Sequence, residues 1–215
     1  MVSDPPEPVI PPPPDEHLAL GGEAAAELRV QRSRFIGLCA PAHAHAAAQE
    51  TIARLVAPYH DARHACWAWR LGAPPAVVEN RNDDGEPSGT AGEPILAEIR
   101  KRDLTDAVVV VVRYFGGVKL GTGGLARAYG QAAAAALAAA PVRRVRQGRE
   151  FTLNFPYGQQ KTLTHLLTDC AGTVEDEQYA ADVAWRVWLP HSRWPEFLSR
   201  VREATAGAVV PQPGD

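Results

Sequence analysis

The sequence predicts an α+β fold in two domains, preceded by a disordered tail. Three observations carry that expectation. Residues 106–115 hold five consecutive valines, Val108 to Val112, the pattern of a strand covered on both faces. From Glu150 onward the text reads strand, helix, strand, strand, helix, strand in about 65 residues, the ferredoxin-like order. Between the two halves, residues 141–148 break the periodicity and gather Arg143, Arg144 and Arg146, with Arg149 just beyond. The expected boundaries are a Pro-rich acidic tail at 1–24, a first domain at 25–141 and a second at 148–211.

Each element has its own reason. Residues 1–17 carry seven prolines and four acids. Such a stretch buries too little apolar surface to offset its ordering entropy and reads as a solvated tail; a ligand for a proline-binding domain is the other reading. Residues 27–39 read as extended. Residues 43–57 form a helical pattern with Ile52, Leu55 and Val56 at helical spacing, closed by Pro58. In the next strand Ala65, Trp67, Trp69 and Leu71 alternate with His64, Cys66, Ala68 and Arg70. That alternation predicts one polar face open to a partner. A short strand at 77–79 follows, then a turn-rich loop over 80–92, NRNDDGEPSGTAG. Pro94 suits the first turn of a helix that runs to Arg102.

After the valine strand comes a glycine loop, GGVKLGTGG, at 116–124. It opens an alanine-rich helix from Leu125, ended by Pro141. Small side chains on that helix predict a close approach to a sheet. In the second half the expected elements are a strand at 150–156, a helix at 159–170 and a hairpin of 173–179 with 183–189. A helix at 194–204 and a last strand at 208–210 complete it.

Composition narrows the function classes. Hydrophobic residues make up 46% of the chain and charged residues 22%, values of an ordinary globular protein and of neither a collagen nor a coiled coil. The net charge is −3, and residues 1–24 hold five acids and no lysine or arginine. No segment is strongly basic, so nucleic-acid binding needs a local patch rather than bulk charge. Three cysteines without a CxxC pair argue against a disulfide scaffold or a zinc ribbon and fit a reducing cytosol. No apolar run is long enough to span a membrane, and the N-terminus has no basic residue or apolar core of a secretory signal. A cytosolic protein with no membrane partner is expected.

Three segments are dense in chemistry. The first is His60-Asp61-Ala62-Arg63-His64. Two histidines four apart suit zinc only on a helix; Pro58 and the absence of a third ligand argue against it, so no metal is expected. The segment reads instead as a loop that orients Arg63 and His64. The second is the loop of Asp83, Asp84, Glu86, Ser88 and Thr90. Three carboxylates in four residues repel one another unless cations or donors neutralise them. A calcium loop would need a glutamate at its twelfth position, which is missing. As a plain turn, Gly85 would supply positive φ and Ser88 or Thr90 would cap the next helix.

The third segment places Arg113, Gly116, Gly117, Lys119, Gly121, Thr122, Gly123, Gly124 and Arg127 around a strand–loop–helix junction. Free N–H groups and the helix dipole attract anions there, and glycine permits close approach. The spacing matches neither a Walker A loop nor GxGxxG. Tyr114 and Phe115 could stack bases or belong to the core. No nucleophilic constellation emerges: Ser88 lies in no GxSxG elbow, and Cys66 lies about 7 Å from His64 along a strand.

DARHACWAWRLG, NDDGEPSGTAGEPIL and VVVVRYFGGVKLGTGGLARAY, in that order, resemble the IMPACT/YigZ family, and RSRFIG at 32–37 resembles its opening motif. The match covers residues 25–140, and the segment from 150 is similar to the smaller domain of the bacterial members. Asn82 stands where the family loop usually has serine. The resemblance implies a first domain like the second domain of a small-subunit ribosomal protein and like domain IV of elongation factor G. It implies a ferredoxin-like second domain, like domain V of that factor. Eukaryotic relatives regulate translation through an additional partner-binding domain. The Pro-rich extension here is read as leaving no room for one, so that mechanism is not carried over.

The expected function is therefore a cytosolic, non-enzymatic protein linked to translation that binds RNA or the ribosome, with no cofactor. Lys119, Arg113, Arg127 and the loop amides would meet phosphates, beside Arg63 and His64. Asp83, Asp84 and Glu86 would pair with those bases or accept from nucleotide edges. The rival is an enzyme acting on a phosphorylated small molecule or nucleotide, since the implied ribosomal-type fold is shared with small-molecule kinases. Asp84 or Glu86 would then hold Mg²⁺ or act as base, with Lys119 on the phosphate. A third reading is an adaptor that binds only a protein partner.

Overall fold

The computed structural model describes residues 14–213. The proline-rich reading of residues 1–13 lies outside them. The described residues divide into two compact units, one of residues 17–145 and one of residues 146–213 together with residues 14–16.

Residues 16–20, placed in the tail by their sequence, form strand β1 (Glu16–Leu20), with Ala19 and Leu20 fully buried. The extended run at 27–39 is a hairpin, β2 (Ala24–Val30) and β3 (Ser33–Pro41), turned at Gln31 and Arg32, both at positive φ. Helix α1 (His45–Val56) follows, then β4 (His64–Leu71) and β5 (Val78–Asn82), so the strand predicted at 77–79 extends into the expected loop. Helix α2 (Gly92–Lys101), short strand β6 (Leu104–Thr105) and the valine strand β7 (Ala107–Tyr114) come next. Helix α3 (Gly121–Ala139) and strand β8 (Val142–Arg146) complete this part.

The main sheet is antiparallel, in the order β2-β3-β7-β4-β5. A second sheet has the order β6-β1-β8. The valines of β7 are covered on both faces, as their unbroken run requires. Val108, Val110 and Val112 pack with Ile36, Trp69 and Ile52 on the α1 side, while Val109 and Val111 pack with Ile95, Leu96 and Tyr129 on the α2–α3 side. The alanines of α3 do what small residues allow. A Cβ added at Gly37 of β3 would lie 2.3 Å from the Ala132 carbonyl oxygen, so helix and sheet backbones nearly touch. The predicted open polar face of β4 is corrected by the same packing: Cys66 and Ala68 are fully buried beneath the helices, and only the ends His64 and Arg70 reach solvent. Arg70 is bonded to Glu79 and Asp103.

The other unit contains β9 (Gly148–Phe155), α4 (Gln160–Asp169), β10 (Thr173–Tyr179), β11 (Val183–Pro190), α5 (Trp194–Ala204) and β12 (Gln212–Pro213). The last strand lies a few residues beyond the expected 208–210. The sheet order β10-β11-β9-β12, all antiparallel, with two helices, is the ferredoxin-like arrangement. Phe151, Leu153, Phe155, Trp185, Val187 and Leu189 form one face of that sheet and pack on Leu163, Leu167, Phe197 and Val201. Among the described residues, no helix is long and apolar enough to cross a membrane.

Candidate anion-binding site

β4 begins where β7 ends, with His64 paired to Arg113. The acidic loop leaves β5 and the glycine loop leaves β7, and the two border one cleft of about 440 Å³. Arg63, His64, Gly85, Glu86 and Pro87 line one side; Arg113, Phe115, Lys119, Leu120, Gly121, Thr122 and Leu125 line the other.

The acidic loop turns its carboxylates inward. Asp83 Oδ1 accepts the N–H groups of Ala91 (2.9 Å) and Gly92 (2.8 Å), and Oδ2 accepts that of Gly89 (2.8 Å). These donors include the otherwise unmatched start of α2, so Asp83 caps that helix from eight residues upstream. Burial pushes its carboxyl up, but the three N–H bonds outweigh this and hold it below the usual range. Asp84, at positive φ, accepts the Ala65 N–H through Oδ2 at 2.6 Å, and its carbonyl accepts His64 Nδ1–H at 2.7 Å. Glu86 Oε1 accepts Arg113 Nη1–H at 2.5 Å and the Tyr129 hydroxyl at 2.8 Å, with its side chain only 4% exposed. The Thr90 hydroxyl donates to the Pro87 carbonyl. Asp83, Asp84, Ser88 and Thr90 do not line the cleft. Asp83 and Asp84 thus take backbone N–H groups as their partners rather than the basic side chains expected for them, whereas Glu86 pairs with Arg113, one of the expected bases, and also accepts the Tyr129 hydroxyl.

The glycine loop behaves differently. α3 starts at Gly121, so residues read as loop, 121–124, are its first turn. Gly121 has φ +69°, a conformation side chains rarely take. Leu120, at the N-cap, makes no capping bond, and the first turn holds no acid. The leading N–H groups have no intrahelical partner, and Gly121 and Thr122 face the cleft. Lys119 is exposed beside them. Arg113 lies between the rings of Phe35 and Phe115, 5.5 Å from each centroid. It is 6% exposed; Nη1 reaches Glu86, while Nε is buried without a partner.

Other expected residues lie elsewhere. Arg127 borders a shallow groove between α2 and α3, with Pro94, Glu98 and Gly130. The Gly116 N–H donates to Ser33 Oγ at 3.1 Å. Gly117, Gly123 and Gly124 are outside the lining. Cys66 donates to the Asp83 carbonyl, and burial pushes its thiol up to about 12, so it is no thiolate nucleophile near neutral pH. Tyr129 is likewise raised by burial and by the groups its hydroxyl meets. Among the described residues no cluster of His, Cys, Asp and Glu is suited to a metal ion. Sequence reasoning missed Leu125 and Tyr129, which sit one helical turn apart on the buried face of α3; that spacing was the available signal.

Residues 31–137 match the Impact N-terminal domain, and residues 153–208 match a domain of unknown function, DUF1949. The chain is 38% identical over 181 residues to IMPACT family member YigZ of Escherichia coli strain K12, covering 84% of this chain and 89% of that protein. It is 44% identical over 162 residues to an IMPACT family member of Thermus thermophilus, covering 75% and 86%. A crystal structure described as that of a hypothetical protein shares 33% identity at a TM-score of 0.63, covering 94% of this chain and 98% of that one. On the strength of both domains and near full-length similarity, the chain belongs to the IMPACT family.

Proposed function

We propose that the protein is a non-enzymatic, cytosolic, translation-linked factor that binds RNA, alone or on the ribosome, through the cleft of the first unit. One observation carries the reading. The start of α3 opens without a cap beside Lys119, Arg63 and the buried Arg113, while the acids of the neighbouring loop are occupied within the protein. The cleft therefore presents cationic and N–H donor groups to an anion, and phosphate is the anion RNA offers. Phe115, 44% exposed at the rim, supplies a ring for stacking.

Filter binding of structured RNA tests this. Lys119→Ala and Arg63→Ala should weaken binding and flatten its salt dependence, while Arg127→Ala, outside the cleft, should not. Affinity indifferent to salt and to both cleft substitutions would sink the reading.

A second reading, an enzyme acting on a phosphorylated small molecule or nucleotide, draws on His64. Its Nδ1–H is fixed on the Asp84 carbonyl, which leaves Nε2 as the open ring nitrogen beside the cleft. The hydrogen bonds of Asp84 to the Ala65 N–H and of Glu86 to Arg113 and Tyr129 occupy the acids that a kinase-like scheme would use. Thermal shift with nucleotides and Mg²⁺ separates the readings: stabilisation by one nucleotide together with its turnover favours the enzyme.

A further inference from the structure

Resting on the phosphate-binding reading above, we propose that the cleft recognises a terminal phosphate monoester on a single nucleotide. The phosphate sits at the start of α3 between Lys119 and Arg113, and the base lies against Phe115. Three observations meet here. The first is an unmatched cation. Arg113 has five guanidinium N–H donors and is 6% exposed, yet among the described residues Nη1 to Glu86 is the one hydrogen bond its side chain makes, and Nε has none. Buried donors are normally satisfied, so a buried arginine with spare donors lining a cleft marks the place of an acceptor-rich ligand.

The second is charge. Glu86 offsets Arg113, whereas Arg63 and Lys119 form no ion pair among the described residues. Two uncompensated cations and a helix N-terminus match a monoester, which carries about −1.5 to −2 near pH 7, better than a diester with a single charge.

The third is size and lining. About 440 Å³ is small-ligand scale and holds one nucleotide rather than a strand passing through. Beyond the cationic end, Pro87, Phe115, Leu120 and Leu125 form an apolar wall suited to a base. His64 Nε2, with its tautomer set by Asp84, is open to a phosphate oxygen or sugar hydroxyl. The ligand is thus a nucleoside 5′-phosphate, either free or at the 5′ end of a single strand.

Calorimetry on the full chain tests this with four probes: adenosine 5′-monophosphate, adenosine, and one short oligoribonucleotide bearing either a 5′-phosphate or a 5′-hydroxyl. The 5′-phosphate should tighten binding at least about tenfold in each pair, as charge-assisted bonds do. Inorganic phosphate should compete, Lys119→Ala should erase the difference, and Phe115→Ala should weaken both phosphorylated probes. A tighter oligonucleotide identifies a strand end as the source, and a tighter mononucleotide identifies the free form; either supports the proposal. Equal, salt-sensitive binding of both oligonucleotides overturns it while leaving RNA binding intact. No binding by any probe overturns both.

Discussion

Helices α2 and α3 each follow a glycine-containing loop that borders the cleft, yet their N-termini are opposites. That of α2 is closed: Asp83 gathers three N–H groups on one carboxylate. That of α3 is open: Leu120 caps nothing and no acid follows. At α2 the leading N–H groups of Ala91 and Gly92 are satisfied by Asp83 and Pro94 has none to offer, whereas at α3 Gly121 and Thr122 lie at the cleft without a cap. The difference assigns the loops their work. The acidic loop is architecture, tying α2, β4 and α3 together through Asp83, Asp84 and Glu86. In the proposed function, the glycine loop and the helix it opens are the receptive surface.

If the acidic loop is architecture, its substitutions should cost stability first. Glu86→Ala should have the largest effect, about 3–5 kcal/mol in denaturant unfolding, because it strands a buried Arg113 and removes the acceptor of the Tyr129 hydroxyl. Asp83→Ala should cost about 1–3 kcal/mol through the lost cap. Because the folded-state pKa of Asp83 is depressed, that contribution is complete above the unfolded value near about 4 and is lost as pH falls through the folded value. The gap between parent and Asp83→Ala should therefore close in acid, and a gap unchanged down to about pH 2 would break the assignment.

On the open side the order reverses. Lys119→Ala should move stability by no more than about 0.5 kcal/mol yet lower the salt slope of RNA binding by about one. Arg127→Ala, eight residues on in the second turn of α3, should change neither quantity, and an equal effect from both would place the binding surface along the helix flank instead of in the cleft. Burial should also leave Cys66 unreactive toward alkylating reagents near neutral pH in the folded chain, with labelling appearing only on unfolding.

Much of the fold was legible because its signals are local. The Val108–Val112 run read as a doubly covered strand, the alanines of α3 as a close helix–sheet contact, and the strand–helix order after Glu150 as a ferredoxin-like unit. What failed were cases where local text is ambiguous. Gln31 and Arg32 carry a tight turn without glycine, so the β2–β3 hairpin read as one strand. Cys66 and Ala68 are small enough to sit beneath helices, so the β4 alternation suggested an open face that is in fact covered. Glu16–Leu20 follows a proline tract and took its character from it, although its partner β6 lies more than eighty residues away.

The sequence by itself determined most of the elements, a division into two parts and the set of residues rich in charge and glycine. It did so because periodicity, proline and glycine act within a few residues. Only the tertiary structure decided which charges are spent inside the protein and which are left at the cleft. Hydrogen-bond satisfaction is a matter of who lies opposite whom: Asp83 finds its donors eight and nine residues on, Glu86 finds Arg113 and Tyr129 across two other elements, and no spacing rule in one dimension contains those encounters.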